Sequence, residues 1–257
     1  MGKQGFSMFG QNKLTIRHID RADADWALVV GDVHGKINQL EQLYALYREH
    51  TPADAKRCVI SVGDLIDRGE NSAAVIDWFL NSTSNEERLC VRGNHEVMFK
   101  SFLERPNGAD RWFQDFGGRE TLRSYAPDLP NDAAIKDIRR AVRQVPDNHR
   151  AFLKEMADVV IFDDFCVVHA AIDPRRPLEK QSREKLHWGP CLDWNLAHLV
   201  DLSPFPFSHV VHGHEPHGRP IDPKSPAINL DTGCYKTGTL TGLILNANGS
   251  SVISTTL

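Results

Sequence analysis

Three short apolar runs near the start of the chain each end in a glycine-flanked cluster of carboxylate, amide and imidazole side chains. Trp26–Val30 leads into Gly31-Asp32-Val33-His34-Gly35, and Cys58–Val62 into Gly63-Asp64-Leu65-Ile66-Asp67-Arg68-Gly69. Leu89–Val91 leads into Arg92-Gly93-Asn94-His95-Glu96. Between these runs apolar residues recur at helical spacing, with Ile37, Leu40, Leu43, Tyr44 and Tyr47 in the first interval. Ala73, Val75, Ile76, Phe79 and Leu80 do the same in the second, where Ser72 is the expected cap. Strand ends about 30 residues apart with helices between them are βαβ units, which predicts a sheet with parallel strands. Ligands bind beyond the carboxyl ends of such strands, so the three polar loops should converge on one surface.

The second half has a different rhythm. Residues 109–157 are mostly helical by pattern, broken at Gly117-Gly118, Pro127, Pro130 and Pro146. Strand-like runs follow at Val159–Phe162, Phe165–Val168, His209–Val211, Ala227–Leu230 and Leu240–Leu245. Two of them end in histidine, as Val168-His169-Ala170 and Val211-His212-Gly213-His214. The pattern predicts a two-sheet α/β sandwich in a single domain over residues 1–257, with an irregular polar extension at 1–25 and a helical insert at 109–157. No repeat beyond the early units and no domain-separating linker is visible.

Composition narrows the function classes. A net charge of -4, with Lys and Arg scattered, excludes a dedicated nucleic-acid or anionic-membrane surface. The apolar runs are strand-length, far short of the roughly 20 residues of a membrane-spanning helix. Five cysteines, at 58, 90, 166, 191 and 234, lack any C-x-x-C pair and argue against a disulfide framework or a zinc ribbon. Residues 1–17 carry no secretory h-region, so a cytoplasmic location is expected.

Asp32, His34, Asp64, Asn94, His169 and His214 supply six oxygen and nitrogen donors, too many for one tetrahedral ion. Two ions sharing a bridging carboxylate fit them better. Two metals at such a site can clamp a phosphoryl oxygen while activating water for in-line displacement at phosphorus.

The motifs are similar to the G-D-x-H-G, G-D-x-x-D-R-G and G-N-H-E signatures of the phosphoprotein-phosphatase group of calcineurin-like metallophosphoesterases. That group includes bacterial Ser/Thr protein phosphatases and symmetrical diadenosine-tetraphosphate hydrolases, and the likeness extends over residues 26–245. Gly117–Tyr125, His169–Pro174 and Asn229–Tyr235 resemble further stretches of the bacterial members. The resemblance implies a four-layer αββα metallophosphoesterase sandwich with a helical insert that can form a lid. It also implies two divalent ions, manganese first and iron or zinc as alternatives. Asp32 and His34 would hold one ion, Asp64 would bridge, and Asn94, His169 and His214 would complete the second. His95 would be the general acid, oriented by Asp67, and Arg68 would grip the phosphate.

One position departs from the family pattern. A second phosphate-binding arginine usually follows a Leu-x-Trp stretch, but Leu186-His187-Trp188-Gly189-Pro190 carries Pro190 there. Either Arg92, Arg183 or Arg219 is expected to substitute, Arg92 foremost, or the grip on the substrate is weaker. The expected reaction is hydrolysis of phosphomonoesters by direct attack of metal-bound hydroxide without a covalent phosphoenzyme, with a phosphoprotein or a phosphorylated small molecule as partner. Phosphoserine or phosphothreonine is the preferred substrate, a dinucleoside polyphosphate the alternative. A regulatory module that binds metals without turnover is the third reading. Glu96 is expected to cap or orient, His212 to support rather than ligate, and Tyr235 and Trp188 to border the substrate or pack.

Overall fold

Residues 13–190, 201–219 and 221–255 are described in a computed structural model of the chain. Residues 1–12, Cys191 and His198 lie outside them. Ten strands form two five-stranded sheets among the described residues. In the first, β2 (Trp26–Val30), β3 (Arg57–Ser61) and β4 (Glu86–Cys90) run parallel, while β9 (Thr241–Asn246) joins β2 antiparallel and β10 (Gly249–Ser254) closes the edge. In the second, β1 (Ile16–Ile19) runs parallel to β5 (Val159–Phe162), which turns back antiparallel into β6 (Phe165–Val167). The parallel strands β7 (His209–His212) and β8 (Ala227–Asn229) complete it.

Successive side chains of a strand point to opposite faces, and β2 shows why its run is apolar throughout. Ala27 and Val29 meet Val160, Phe162, Val211 and Ile228 in the core between the sheets. Leu28 and Val30 face the helical layer, against Leu40, Leu43 and Tyr47 of α1 (Ile37–His50), Val75, Ile76 and Phe79 of α2 (Ser72–Leu80) and Phe99 and Phe102 of α3 (Asn94–Glu104). The outer face of the second sheet is covered by Leu178 of a short 3-10 turn, Leu186 of α8 (Arg183–Trp188), and Leu202 and Phe207. These are the layers of the expected sandwich.

The insert consists of α4 (Arg111–Asp115), α5 (Gly118–Tyr125), α6 (Ile135–Arg143) and α7 (Asp147–Glu155). It is not a separate flap. Trp112, Phe113, Leu122, Ile138 and Leu153 are buried in the same cluster as α1 to α3, so the insert thickens the helical layer. Gly117 and Gly118 permit the close approach: a Cβ on Gly117 would lie 2.3 Å from the Arg68 nitrogen, and one on Gly118 2.5 Å from the Trp112 ring.

Three local expectations change. Residues 16–19, expected to be irregular, form strand β1, and β10 was unforeseen as well. Both are edge strands whose partly exposed side chains need no apolar run, their place being set by backbone pairing. Ser72 is not the cap of α2, a position held by Asn71. Its hydroxyl instead accepts from the Asp67 N–H at 3.1 Å.

Candidate metal centre

The carboxyl ends of β2, β3, β4, β6 and β7 deliver every predicted ligand to one place. Adjacent strands are locked beyond their ends by backbone bonds, His34 N to Asp64 O at 2.9 Å and Gly213 N to His169 O at 2.9 Å. Asp64 is the hub. Its Oδ2 lies 3.6 Å from His34 Nε2 and 3.8 Å from His95 Nε2, and its Oδ1 lies 3.4 Å from His169 Nε2. One carboxylate thus presents each oxygen to a different set of imidazoles. On the second side, Asn94 Oδ1 is 2.9 Å from His169 Nε2 and 3.2 Å from His214 Nδ1. Asp32 is tied in through its Oδ2, which accepts from the His214 N–H at 3.1 Å.

The loops store conformational strain. Six non-glycine residues have positive φ among the described residues, and His34, Asp64, Asp67, Arg68 and His214 are five of them. Such conformations persist only when surrounding contacts fix them, and here the contacts are those between loops. Glu96 is the chief one. Its carboxylate accepts from the N–H groups of Gly93, Asp64 and Leu65 at 2.9, 3.0 and 2.8 Å, tying the second polar cluster to the third. Burial and the charge of Asp64 push its carboxyl up to about 7.

The donor chemistry fits divalent cations. His34 Nδ1 is 2.8 Å from the Ile66 carbonyl and His169 Nδ1 is 3.0 Å from that of Val62. A carbonyl can only accept, so each Nδ1 carries the proton and each Nε2 turns a lone pair to the cluster. Burial holds both imidazoles neutral: His34 is well below its ordinary pKa, and His169 is lowered to about 3. His214 is lowered as well, again by burial. Burial opposes the Asp64 charge, but the surrounding imidazoles of His169, His95 and His34 outweigh it and hold the carboxyl below its usual range. Asp32 is raised by burial and by its neighbours Asp231 and Asp64, and Asp231 is raised to about 6 by burial together with Asp64. Crowded buried carboxylates of this kind are relieved by cations placed among them. His34 Nε2 accepts from Arg68 Nη1 at 3.0 Å, and it is this lone pair that would bind a cation.

The sequence model of the calcineurin-like phosphoesterases matches residues 26–218. The chain belongs to this family. No curated protein matches it. Among solved structures, a protein provisionally assigned as a diadenosine tetraphosphatase is similar with a TM-score of 0.66 and 19% identity, covering 94% of this chain and 97% of that one. A Saccharomyces cerevisiae serine/threonine phosphatase with similarity to human phosphatase PP5 gives a TM-score of 0.66 at 13% identity, covering 95% of this chain and 84% of that one. A cold-active protein-tyrosine phosphatase of a psychrophilic Shewanella species gives 0.59 at 15%, covering 93% and 82%. At these identities the likeness is one of fold.

Within this phosphoesterase, His95 and Asp67 stand beside the candidate ligands. His95 Nδ1 lies 2.6 Å from Asp67 Oδ2, and both residues are buried. Burial opposes the imidazolium, but Asp64 and Asp67 outweigh it and raise the His95 pKa. Arg68 Nη2 is 3.3 Å from His95 Nε2, and its guanidinium packs 4.3 Å from the centre of the Tyr235 ring. Tyr235 therefore borders the site, edge-on to His34.

Arg92 has other partners than a substrate: its guanidinium donates to Asp158 and to the carbonyls of Lys154 and Met156. Arg183 donates to the same Asp158, and Arg219 lies on an exposed loop. The buried acid Asp158 draws Arg92 and Arg183 away, which a linear sequence does not reveal. Two site residues went unforeseen. Asp231 sits among the carboxylates, its only sequence signal being its place in the Asn229–Tyr235 stretch. Trp112 donates to Asp67 at 2.6 Å from an unremarkable helix. No helix among the described residues is long and apolar enough to cross a membrane.

Proposed function

We propose that this chain hydrolyses phosphate monoesters, with phosphoserine or phosphothreonine in proteins as its substrate. The observation that carries the reading is the setting of His95, an imidazole braced at Nδ1 by Asp67 and turning Nε2 toward Asp64 and Arg68. Two divalent ions, held by Asp32 and His34 on one side and by Asn94, His169 and His214 on the other with Asp64 between them, would supply Lewis-acid charge to the phosphoryl oxygens and lower the pKa of a bound water. Arg68 binds the phosphate, since its planar guanidinium can give parallel hydrogen bonds to two oxygens. His95 donates its Nε2 proton to the ester oxygen as the bond to phosphorus breaks, and Asp67 keeps Nδ1 protonated and the ring in place.

A dinucleoside polyphosphate is the second reading, supported by the nearly complete mutual coverage with the provisionally assigned diadenosine tetraphosphatase. Protein loaded with manganese and assayed in parallel on a phosphopeptide and on diadenosine tetraphosphate tests both. Preference for the phosphopeptide upholds the first reading and preference for the dinucleotide the second. Metal binding without turnover on either overturns both in favour of a binding module.

A further inference from the structure

Asp67 is held from the helical insert as firmly as from its own loop. Its Oδ2 takes two donors, His95 Nδ1 at 2.6 Å and Trp112 Nε1 at 2.6 Å. Its Oδ1 accepts from the Thr121 hydroxyl, which in turn accepts from the Asp67 backbone N–H at 2.9 Å. Ser72 supports this hydroxyl at 3.0 Å; because Thr121 spends its one proton on Asp67, Ser72 is the donor. Asp67 itself has a φ of 72°, a conformation that these bonds must maintain.

The donors are rigid. Trp112 is 2% exposed and stacked on Phe99, with ring centroids 5.1 Å apart, and Phe102 covers it at 4.7 Å. Gly118 lies so close to the ring that any side chain there would strike it. The Trp112 N–H of the backbone is fixed as well, capped by Asp110 Oδ1 at 2.8 Å. An indole N–H can only donate, so it keeps one lone pair of Oδ2 occupied and leaves the other directed at His95. A carboxylate pinned on both oxygens cannot rotate, and the imidazole hydrogen-bonded to it cannot either.

We propose that Trp112 and Thr121 are positioning residues which, by clamping Asp67, hold the His95 ring in line for proton delivery to the leaving oxygen, so that the helical insert governs the acid step. This rests on the reading of His95 as the acid. It assigns the insert a task other than that of a lid, through two side chains that touch neither metal ligand nor substrate.

The test uses manganese-loaded full-length protein and two esters that differ only in how much the leaving oxygen needs a proton, phenyl phosphate and p-nitrophenyl phosphate. Trp112→Phe keeps an aromatic ring in the stack with Phe99 and removes the indole N–H. It should lower kcat on phenyl phosphate by about tenfold or more and on p-nitrophenyl phosphate by less than about threefold, with KM unchanged for both. Thr121→Val should show the same split and Thr121→Ser should restore it. Equal losses on both esters, or none, overturn the clamp.

A second measurement is independent of turnover. In the metal-free nitrogen-labelled protein, the indole N–H signal missing from Trp112→Phe should exchange slowly and shift in Asp67→Asn. An indole proton that exchanges freely, or ignores Asp67→Asn, also overturns the proposal. Wild-type protein inactive on both esters would defeat the reading of the acid, and the indole signal would still decide whether the clamp exists.

Discussion

Arg92 Nη1 lies 3.3 Å from Oδ1 of Asp158, a carboxylate with no exposed surface. Arg183 Nη2 binds the other oxygen at 2.9 Å, His187 Nε2 reaches Oδ1 at 3.1 Å, and the Thr15 N–H donates to Oδ2 at 2.8 Å. The node joins the end of the insert, the strand β1 and the helix α8. Removing the acid takes the counter-charge from a buried cation, Arg92, and from the partly exposed Arg183, a loss of about 3–5 kcal/mol. For a chain of this size Asp158→Ala should therefore lower Tm by roughly 6–20 °C, measured by thermal unfolding.

The same node has a pH signature. Burial opposes the Asp158 charge, but the hydrogen bonds from His187 and Arg183 outweigh it and hold its pKa below the ordinary 3.8. A depressed carboxyl contributes stability that is fully present above its unfolded pKa and is lost as pH falls through the folded one. The Tm gap between wild type and Asp158→Ala should be constant at neutral pH and shrink only below pH 3.8. A gap that already closes between pH 7 and 5 would assign the stabilisation to another group.

His95→Ala should lower turnover by about 10²–10⁴-fold while leaving metal content near wild type, since His95 Nδ1 is engaged by Asp67 and its proposed role is proton transfer. Elemental analysis beside kinetics checks it, and loss of metal together with activity would make His95 a ligand. In the metal-free protein burial is outweighed by Asp64 and Asp67, which raise the His95 pKa. Asp67→Asn removes one of these two charges, so the alkaline fall in kcat on phenyl phosphate should move to lower pH in that variant.

How far the sequence foretold this arrangement depends on the kind of contact. Asp32, His34, Asp64, Asn94, His169 and His214 were legible because strand ends and glycines mark them locally, and parallel strands bring such ends together. Arg92 was misplaced because its fate is decided by Asp158, distant in sequence and buried by an unrelated layer. Strand β1 was missed because Arg17 and His18 are both exposed on an edge strand, where pairing asks nothing of side-chain polarity. Trp112 carried no signal beyond its place in the helical stretch 109–157, and it is core. Only the direction of its one polar atom, fixed by three-dimensional packing, makes it part of the site.

Asp64→Asn should deplete at least one ion. The residue presents Oδ2 to His34 and Oδ1 to His169, so replacing one oxygen by an amide nitrogen removes a donor from one of the two groups. Metal-to-protein ratio after reconstitution and desalting is the measurement. Unchanged occupancy would mean that the carboxylate does not bridge.

Gly213 offers a test of the site that spares every ligand. Its φ is ordinary, so the constraint on it is one of space: a Cβ would sit 1.8 Å from Asp32 Oδ1 and 2.8 Å from a Val62 methyl. Val62 is buried between the sheets and cannot retreat, whereas the Asp32 carboxylate is the free end of a side chain two residues past β2 and can turn aside. Gly213→Ala should therefore move Asp32 and weaken metal binding by about 10-fold or more, an effect of the size seen when the partners of metal ligands are disturbed. The fold should survive, because the backbone bond from Gly213 N to His169 O needs no side chain. Titration of manganese into the variant, with circular dichroism as the control for folding, separates the outcomes. Wild-type affinity in a folded Gly213→Ala protein would show that Asp32 holds no ion.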